Sequence, residues 1–385
     1  MDEQQRNLAE REYAKKKLPQ WTDIDGIIYP RHISLEQCSS EQTAKYKSQL
    51  LSTKTPNLHT FVDLTGGFGV DCYYIGKNFK SAFYIEQNPD ICETVKHNYK
   101  LLGFSQCTVI CQDATNYLAQ MPQANVIYID PARRDGNGKR TYDICDCTPD
   151  VTKINDLLLQ KADKVMIKLS PMFDWHKAVK VLHGVTEVHI VSVRNECKEL
   201  LIILEKEPKP LKLFCINDDS TFMVDNENEN DNDNQPTPTP PKGKGYLEVS
   251  PLGGDLEEAL QITSSAIYLY EPNASIMKSG CFRELALRFG IMEISASSHL
   301  FLSDRQIEDF PGRSFQILSV SSMNKKALKE KVSVLKNANI TTRNFPINAN
   351  QLRKKLKLAE GGDTYIFATT TQQKEHLLFI CKKNP

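Results

Sequence analysis

Between Leu58 and Glu207, short apolar runs alternate with amphipathic stretches of helical period. The runs read as strands: Phe61–Val62 leading to Asp63, Ser81–Ile85 to Glu86, Cys107–Cys111 to Gln112-Asp113, Asn125–Ile129 to Asp130, and Val165–Leu169. Between them, Asn88–Leu102 carries Ile91, Val95, Tyr99 and Leu102 at three- and four-residue steps, which marks one buried helix face. A second helix is expected from Pro149 to Lys161, with Thr148 as its cap. Strands joined by helical crossovers lie parallel, but Glu187–Val193 and Leu200–Leu204 are too close for a crossover and should pair antiparallel. The pattern predicts an α/β domain whose parallel sheet is closed by a hairpin.

Past Leu211–Ile216, read as a further strand, the pattern lapses. Residues 225–245, DNENENDNDNQPTPTPPKGKG, cannot bury enough apolar surface to offset their ordering entropy. They are expected to form a loop or hinge, with Tyr246–Val249 able to pair with the strand before it. A helical stretch is expected within Asp255–Gly290 and a short strand at Ser298–Ser303. A small α/β module should follow, with strands at Phe315–Val320, Ile340–Phe345, Thr364–Thr370 and His376–Cys381 and helices at Lys325–Asn337 and Asn350–Ala359.

Composition narrows the class. The chain has 385 residues, 40% of them apolar, enough for two or three domains with real cores. Formal net charge is zero, so no global field draws it to nucleic acid or membrane. No apolar stretch is long enough to span a bilayer, and the charged start MDEQQRNLAEREYAKKK is no signal peptide. The eleven cysteines lack a C-x-x-C pair and the eight histidines lack metal-binding spacing. Reduced thiols, a cytoplasmic location and no metal are the expectation. Charge is uneven, however. Residues 321–385 hold 13 Lys+Arg against 4 Asp+Glu, and Arg353, Lys354, Lys355 and Lys357 crowd one short helix. That helix reads either as a solvated face or as a phosphate-binding surface, so these four are the candidate phosphate contacts.

The sharpest candidate chemistry lies in FVDLTGGFGVD, Phe61–Asp71. Glycines between a strand and a helix let the backbone approach a ligand, and the helix N-terminus offers unpaired N–H groups. A dinucleotide pattern begun at Gly67 would need its third glycine at Cys72, and there is no Gly-Lys-Ser/Thr for a P-loop. The acid before the glycines suits a ligand with an ammonium group, which S-adenosylmethionine has. DLTGGFGVD resembles motif I of class I SAM-dependent methyltransferases.

With DPARRD, IKLSPMFDW, YEPNASIMKSG, SLEQCSSEQTAKYKS and the basic C-terminal module, the resemblance extends over nearly the whole chain. It is to a bacterial group of class I methyltransferases carrying a C-terminal THUMP-like domain. The resemblance implies a Rossmann-like seven-stranded methyltransferase sheet with a small α/β, ferredoxin-like and THUMP-like, C-terminal region. The implied division is a helical extension over 1–55, the methyltransferase domain over 56–210 and connecting strands with the acidic loop over 211–265. A ferredoxin-like segment over 266–312 and the basic THUMP-like domain over 313–385 complete it. It further implies S-adenosylmethionine as cofactor and RNA as acceptor.

On this reading Asp63, Thr65, Gly66, Gly67 and Gly69 hold the methionine end, Glu86 the ribose, Asp113 the adenine, and Asp130 closes the cofactor set. Asp130, Pro131 and Arg133 are the candidates for catalysis, with Asp130 the base where the acceptor has a proton to lose. The chain departs from Asp/Asn-Pro-Pro-aromatic at this motif, which speaks against methylation of an exocyclic amine. A cysteine nucleophile would fall to Cys145 or Cys147, around which nothing signals activation. Lys168 either orients substrate or pairs with an acid. Cys38-Ser39-Ser40-Glu41, within the resembling segment Ser34–Ser48, is expected to cap a helix over Glu41–Leu51, with closing over the cofactor the other role the resemblance leaves open, and Trp21 and Trp175 are expected to be packing anchors. A protein or small-molecule acceptor, or an RNA-binding protein without turnover, are the alternatives.

Overall fold

The computed structural model describes residues 3–30, 32–54, 58–133, 143–225 and 266–384. The expected loop past Asp225, the strand at 246–249, the start of the helical stretch and Arg134 lie outside the described residues. Contacts divide the chain into two units. The first holds the described residues up to Val191 together with Lys198–Phe214, and the second holds Ser192–Cys197, Cys215–Val224 and the described residues from 266 onward.

The chain opens with helices α1 (Glu3–Ala14), α2 (Pro19–Thr22), α3 (His32–Gln37) and α4 (Glu41–Lys54). Then β1 (Thr60–Asp63), α5 (Val70–Gly76), β2 (Ser81–Glu86), α6 (Pro89–Leu101), β3 (Cys107–Cys111), α7 (Ala114–Gln120) and β4 (Ala124–Ile129) alternate. They are followed by α8 (Val151–Lys161), β5 (Ala162–Leu169), α9 (Trp175–Val181), β6 (Val185–Val193), β7 (Glu196–Glu205), β8 (Lys212–Asn217) and β9 (Ser220–Asp225). The sheet order is β3-β2-β1-β4-β5-β7-β6-β8-β9. Strands β1 to β5 pair parallel and β7 runs antiparallel to β5. The expected seven strands are present, and the pair β8 and β9 extends them to nine. β6 and β7 are joined through Arg194 and Asn195, both at positive φ (52° and 62°), as the twist of a two-residue hairpin turn requires. Strand order reverses between β1 and β4, and such a switch opens a crevice at the strands' carboxyl ends.

Local chemistry accounts for the elements. Asn88 caps α6 by accepting from the Asp90 and Ile91 amides, and the predicted face buries Val95 and Tyr99. α8 begins two residues later than expected, because Asp150 rather than Thr148 takes the cap, accepting from Thr152 N at 3.1 Å. Thr148 instead exchanges backbone bonds with Ala132. Trp21, Leu35, Ala44 and Leu51 of the opening helices share one core with Phe61, Tyr84, Tyr128 and Met166 of the sheet. Each such side chain contributes about 1.5–3 kcal/mol when fully buried, so these helices are integral to the unit. Trp21, fully buried 5.2 Å from the Phe68 ring, is the packing anchor expected.

In the second unit the strands are β10 (Tyr268–Pro272), β11 (Met292–Glu293), β12 (Phe301–Ser303), β13 (Gly312–Ser322), β14 (Asn339–Arg343), β15 (Thr364–Thr370) and β16 (His376–Lys383). Their order is β11-β12-β10-β13-β16-β15-β14. β10 interrupts the stretch expected to be helical, since Tyr268-Leu-Tyr favours a pleated, half-buried surface. Helices Ala274–Ser279 and Phe282–Phe289 follow it. Strand alternation puts Leu269, Phe315, Phe367 and Phe379 in one core, while Ile366, Leu378 and Ile380 pack with Leu352 in another. Among the described residues no helix is long and apolar enough to cross a membrane.

Candidate active site

The glycine turn is shaped from beneath by two tyrosines. Tyr84 donates its hydroxyl to Gly67 O, and Tyr99 donates to Gly69 O at 2.8 Å. A Cβ on Gly66 would stand 2.1 Å from the Tyr84 ring, and one on Gly69 would stand 2.6 Å from the Tyr99 hydroxyl. Gly69 also holds φ 81°, a left-handed conformation that a side chain disfavours. These two positions must be glycine for the turn to close on its own supports.

Acids surround the turn. Asp63, 1% exposed, accepts from Thr65 N at 3.0 Å. Burial pushes its carboxyl well above the usual range, against the pull of the Thr65 amide. No lysine or arginine pairs with it among the described residues. Glu86 accepts from Gly67 N at 3.1 Å and from Asn88 N at 2.9 Å, so one carboxylate ties the turn to the end of β2. Each of its oxygens keeps a lone pair for a ribose hydroxyl. Asp113 caps α7, accepting from the Thr115 hydroxyl and from Asn116 N at 2.9 Å, and these bonds hold its carboxyl below the usual range. This donor set fits S-adenosylmethionine. A buried carboxyl that no lysine or arginine meets among the described residues would suit its ammonium, and accepting oxygens at the next two strand ends would suit ribose and adenine.

The ends of β4 and β5 form the opposite wall. Asp130 N donates to Thr65 Oγ1 at 2.6 Å, joining this wall to the glycine turn. Lys168 Nζ binds Asp130 Oδ2, and Arg133 Nη1 donates to Ser170 Oγ at 2.8 Å. Pro131 is buried between them in sequence. Burial alone would favour a neutral Lys168, but Asp130, Glu199 and Asp71 outweigh it and hold the ammonium protonated. Asp130 therefore stands as half of an ion pair. Cys145 and Cys147 are not activated. Asp143 raises the first thiol, and burial raises the second to about 11.

Sequence reasoning missed a buried polar network beside this wall. Lys47 of α4 has a fully buried side chain and lies 2.6 Å from Glu199 Oε2 and 3.0 Å from Asp71 Oδ1. Ser39 Oγ donates to Asp71 at 2.7 Å, and Tyr128 donates to the same carboxylate at 2.8 Å. Ser40, not Ser39, occupies the cap of α4, accepting from Thr43 N at 3.2 Å. A signal was present, since Asp71 closes the quoted glycine motif and Lys47 lies in KYKS.

In the second unit, the helix Ala349–Leu356 is started by a capping box between Asn348 and Gln351. Lys354, Lys355 and Lys357 are exposed. Arg353 is not equivalent to them, because its Nη1 donates to Ala338 O at 2.8 Å. The four cations divide into three surface charges and one clamp.

Similarity to known proteins covers both parts of the chain. Residues 312–383 match a family described as THUMP domain-like, and residues 268–311 match a ferredoxin-like domain. The whole fold is similar to the crystal structure of a "putative methyltransferase" from Porphyromonas gingivalis W83, at 29% identity and TM-score 0.81 over 99% of this chain and 90% of that one. The chain is a methyltransferase-fold protein with a THUMP-like C-terminal domain. This methyltransferase-fold chain is also similar to a SAM-dependent methyltransferase from Agrobacterium tumefaciens, at 16% identity over 43% of this chain and 62% of that one, with TM-score 0.33. A further likeness is to M. capricolum TrmK with bound S-adenosyl-homocysteine, at 12% identity over 42% and 68% of the two chains, with TM-score 0.33. At that score neither bears on what this protein does. No curated protein matches its sequence.

Proposed function

We propose that the protein is a class I methyltransferase that transfers the methyl group of S-adenosylmethionine to a nucleotide of structured RNA. The observation that carries the reading is the buried carboxyl of Asp63, which no lysine or arginine meets among the described residues, at a tyrosine-supported glycine turn, with Glu86 and Asp113 at the next strand ends. Asp63 and the turn Thr65–Gly69 would hold the methionine end, Glu86 the ribose and Asp113 the adenine. The sulfonium supplies an activated methyl group, so most of the rate comes from holding the acceptor in line with it. Asp130, Pro131 and Arg133 form the wall where an acceptor would lie. With Lys168 on its carboxylate, Asp130 is suited to orienting the acceptor, and it acts as a base only by giving up that partner.

RNA is favoured by the cation excess of residues 321–385 within the THUMP-like region. We assign methyl transfer to 56–210 and acceptor binding to 313–385. Incubation with labelled S-adenosylmethionine and total RNA from cells lacking the gene, followed by mass spectrometry of the nucleosides, tests the reading. A labelled nucleoside is the expected product. Label appearing only in protein or small molecules would replace RNA as acceptor, and absence of cofactor binding would end the methyltransferase reading.

A further inference from the structure

We propose that Arg313 and Arg343 form a phosphate-binding site in the second unit, with buried Glu271 as its anchor and Arg343 as the arm that engages the ligand. Glu271 on β10 stands directly opposite Arg313 on β13, and its side chain is 5% exposed. Arg313 donates to one oxygen of that carboxylate through Nε, at 2.8 Å, and through Nη2. Arg343, at the end of β14, donates to the other oxygen through Nη2 alone, at 3.1 Å.

One carboxylate neutralises one guanidinium. The second therefore leaves a positive charge at a place where both arginine side chains reach solvent, 41% and 35% exposed. The two are not equally held. Arg313 is fastened twice to Glu271, and its guanidinium lies 5.6 Å from the Phe315 ring. Among the described residues Arg343 makes a single side-chain bond, and its buried Nε meets no acceptor. In register with Arg343 on the parallel neighbour β15 is Thr369, which shares its face of the sheet and is fully buried, its hydroxyl meeting no partner among the described residues. Glu271 thus meets two guanidiniums with one charge, and beside Arg343 the buried donors outnumber their acceptors among the described residues.

A buried donor is stable when paired, so an incoming oxyanion that draws Arg343 toward itself gains bonds at little loss. The planar fork of an arginine matches a phosphate through two parallel N–H bonds, and the flanking lysine surplus favours a phosphate carried on a polyanion. The site rests on the RNA reading only for the source of that phosphate. Methyl transfer is not needed for it.

The test uses the full chain with two probes, bulk transfer RNA and inorganic phosphate. The variants are Arg343→Gln, Arg343→Lys and, as an exposed-charge control, Lys329→Gln. Arg343→Gln should lower RNA affinity about tenfold at low salt and flatten log affinity against log salt by about 0.7. It should also abolish the rise in melting temperature that inorganic phosphate gives the parent chain. Arg343→Lys keeps the charge but loses the fork, so it should recover the salt slope and not the affinity; it also serves if the glutamine variant fails to fold. A phosphate effect without an RNA effect assigns the site to free phosphate, and the reverse assigns it to the RNA backbone. Folded Arg343 variants indistinguishable from Lys329→Gln with both probes would overturn the proposal and leave a structural clamp. Calorimetry with S-adenosylmethionine on the same variants keeps the two readings separate, since cofactor binding should be unchanged in all of them.

Discussion

Lys47, on a helix that precedes the sheet, places its ammonium 3.0 Å from Asp71 in the first turn of α5, immediately after the glycine turn. Glu199 of β7 takes the same ammonium at 2.6 Å. Two carboxylates share one fully buried cation, and the helix that carries it is thereby tied to the cofactor cradle. Removing one partner of such a pair leaves a buried charge uncompensated. Lys47→Met should cost about 3–5 kcal/mol in chemical denaturation. Adding Glu199→Gln to it should recover part of that loss, because the two residues are directly coupled. Additive effects would show the network to be solvated.

The same contacts set a pH dependence. Burial would raise the Asp71 carboxyl, but Lys47, Lys168, Ser39 and Tyr128 together hold it below the usual range. A folded pKa lowered beneath the unfolded value gives stability that is present above about pH 4 and lost as pH falls through the folded value. Thermal denaturation followed from pH 6 to pH 3 should show the loss, and Asp71→Asn should flatten it.

The tyrosine support makes Gly66 intolerant of any side chain. Gly66→Ala forces a methyl group into the Tyr84 ring, and overpacking of this kind costs about 1–3 kcal/mol. Combining it with Tyr84→Leu should restore part of the stability and less of the cofactor affinity, as read by denaturation and by calorimetry. Equal recovery of both would mean that the turn contacts no ligand.

Glu86→Gln leaves one oxygen to accept from Gly67 N or Asn88 N while removing the charge and the other bond. Cofactor affinity should fall by about 1.5–3 kcal/mol, the worth of one charged hydrogen bond, with stability lowered only by the lost backbone contact, about 0.5–1.5 kcal/mol. Unaltered affinity in the folded variant would remove Glu86 from the site.

Asp130→Asn should keep most of the cofactor affinity and lose transfer, with kcat and kcat/KM falling together. Loss of cofactor binding with normal turnover of the bound fraction would move Asp130 to the cofactor side. In the second unit, Lys354, Lys355 and Lys357 changed together to Gln should weaken RNA binding and flatten its salt dependence. Arg353→Gln should instead lower stability, since it releases Ala338 O.

The order of strands and helices, the glycine turn and the acids at the ends of β1 to β4 were legible in the sequence by itself, because they rest on short-range effects. Side-chain period, turn chemistry and helix starts are written within a few neighbouring residues. Even there Thr148 gave way to Asp150 as a cap, since two candidates two positions apart differ in which bonds the tertiary structure leaves them. Lys47 reads in the sequence as one more surface charge of an amphipathic helix. Only the assembled structure sets it between Asp71 and Glu199, 152 positions away in the second case. The same holds for Arg353, one of four cations within five residues until it meets a carbonyl, and for Arg343, which reaches a carboxylate 72 positions earlier. Burial and charge pairing belong to surfaces brought together from distant parts of the chain. The local pattern encodes which residues can ionise, but the tertiary structure decides which of those charges are shielded, shared or left over.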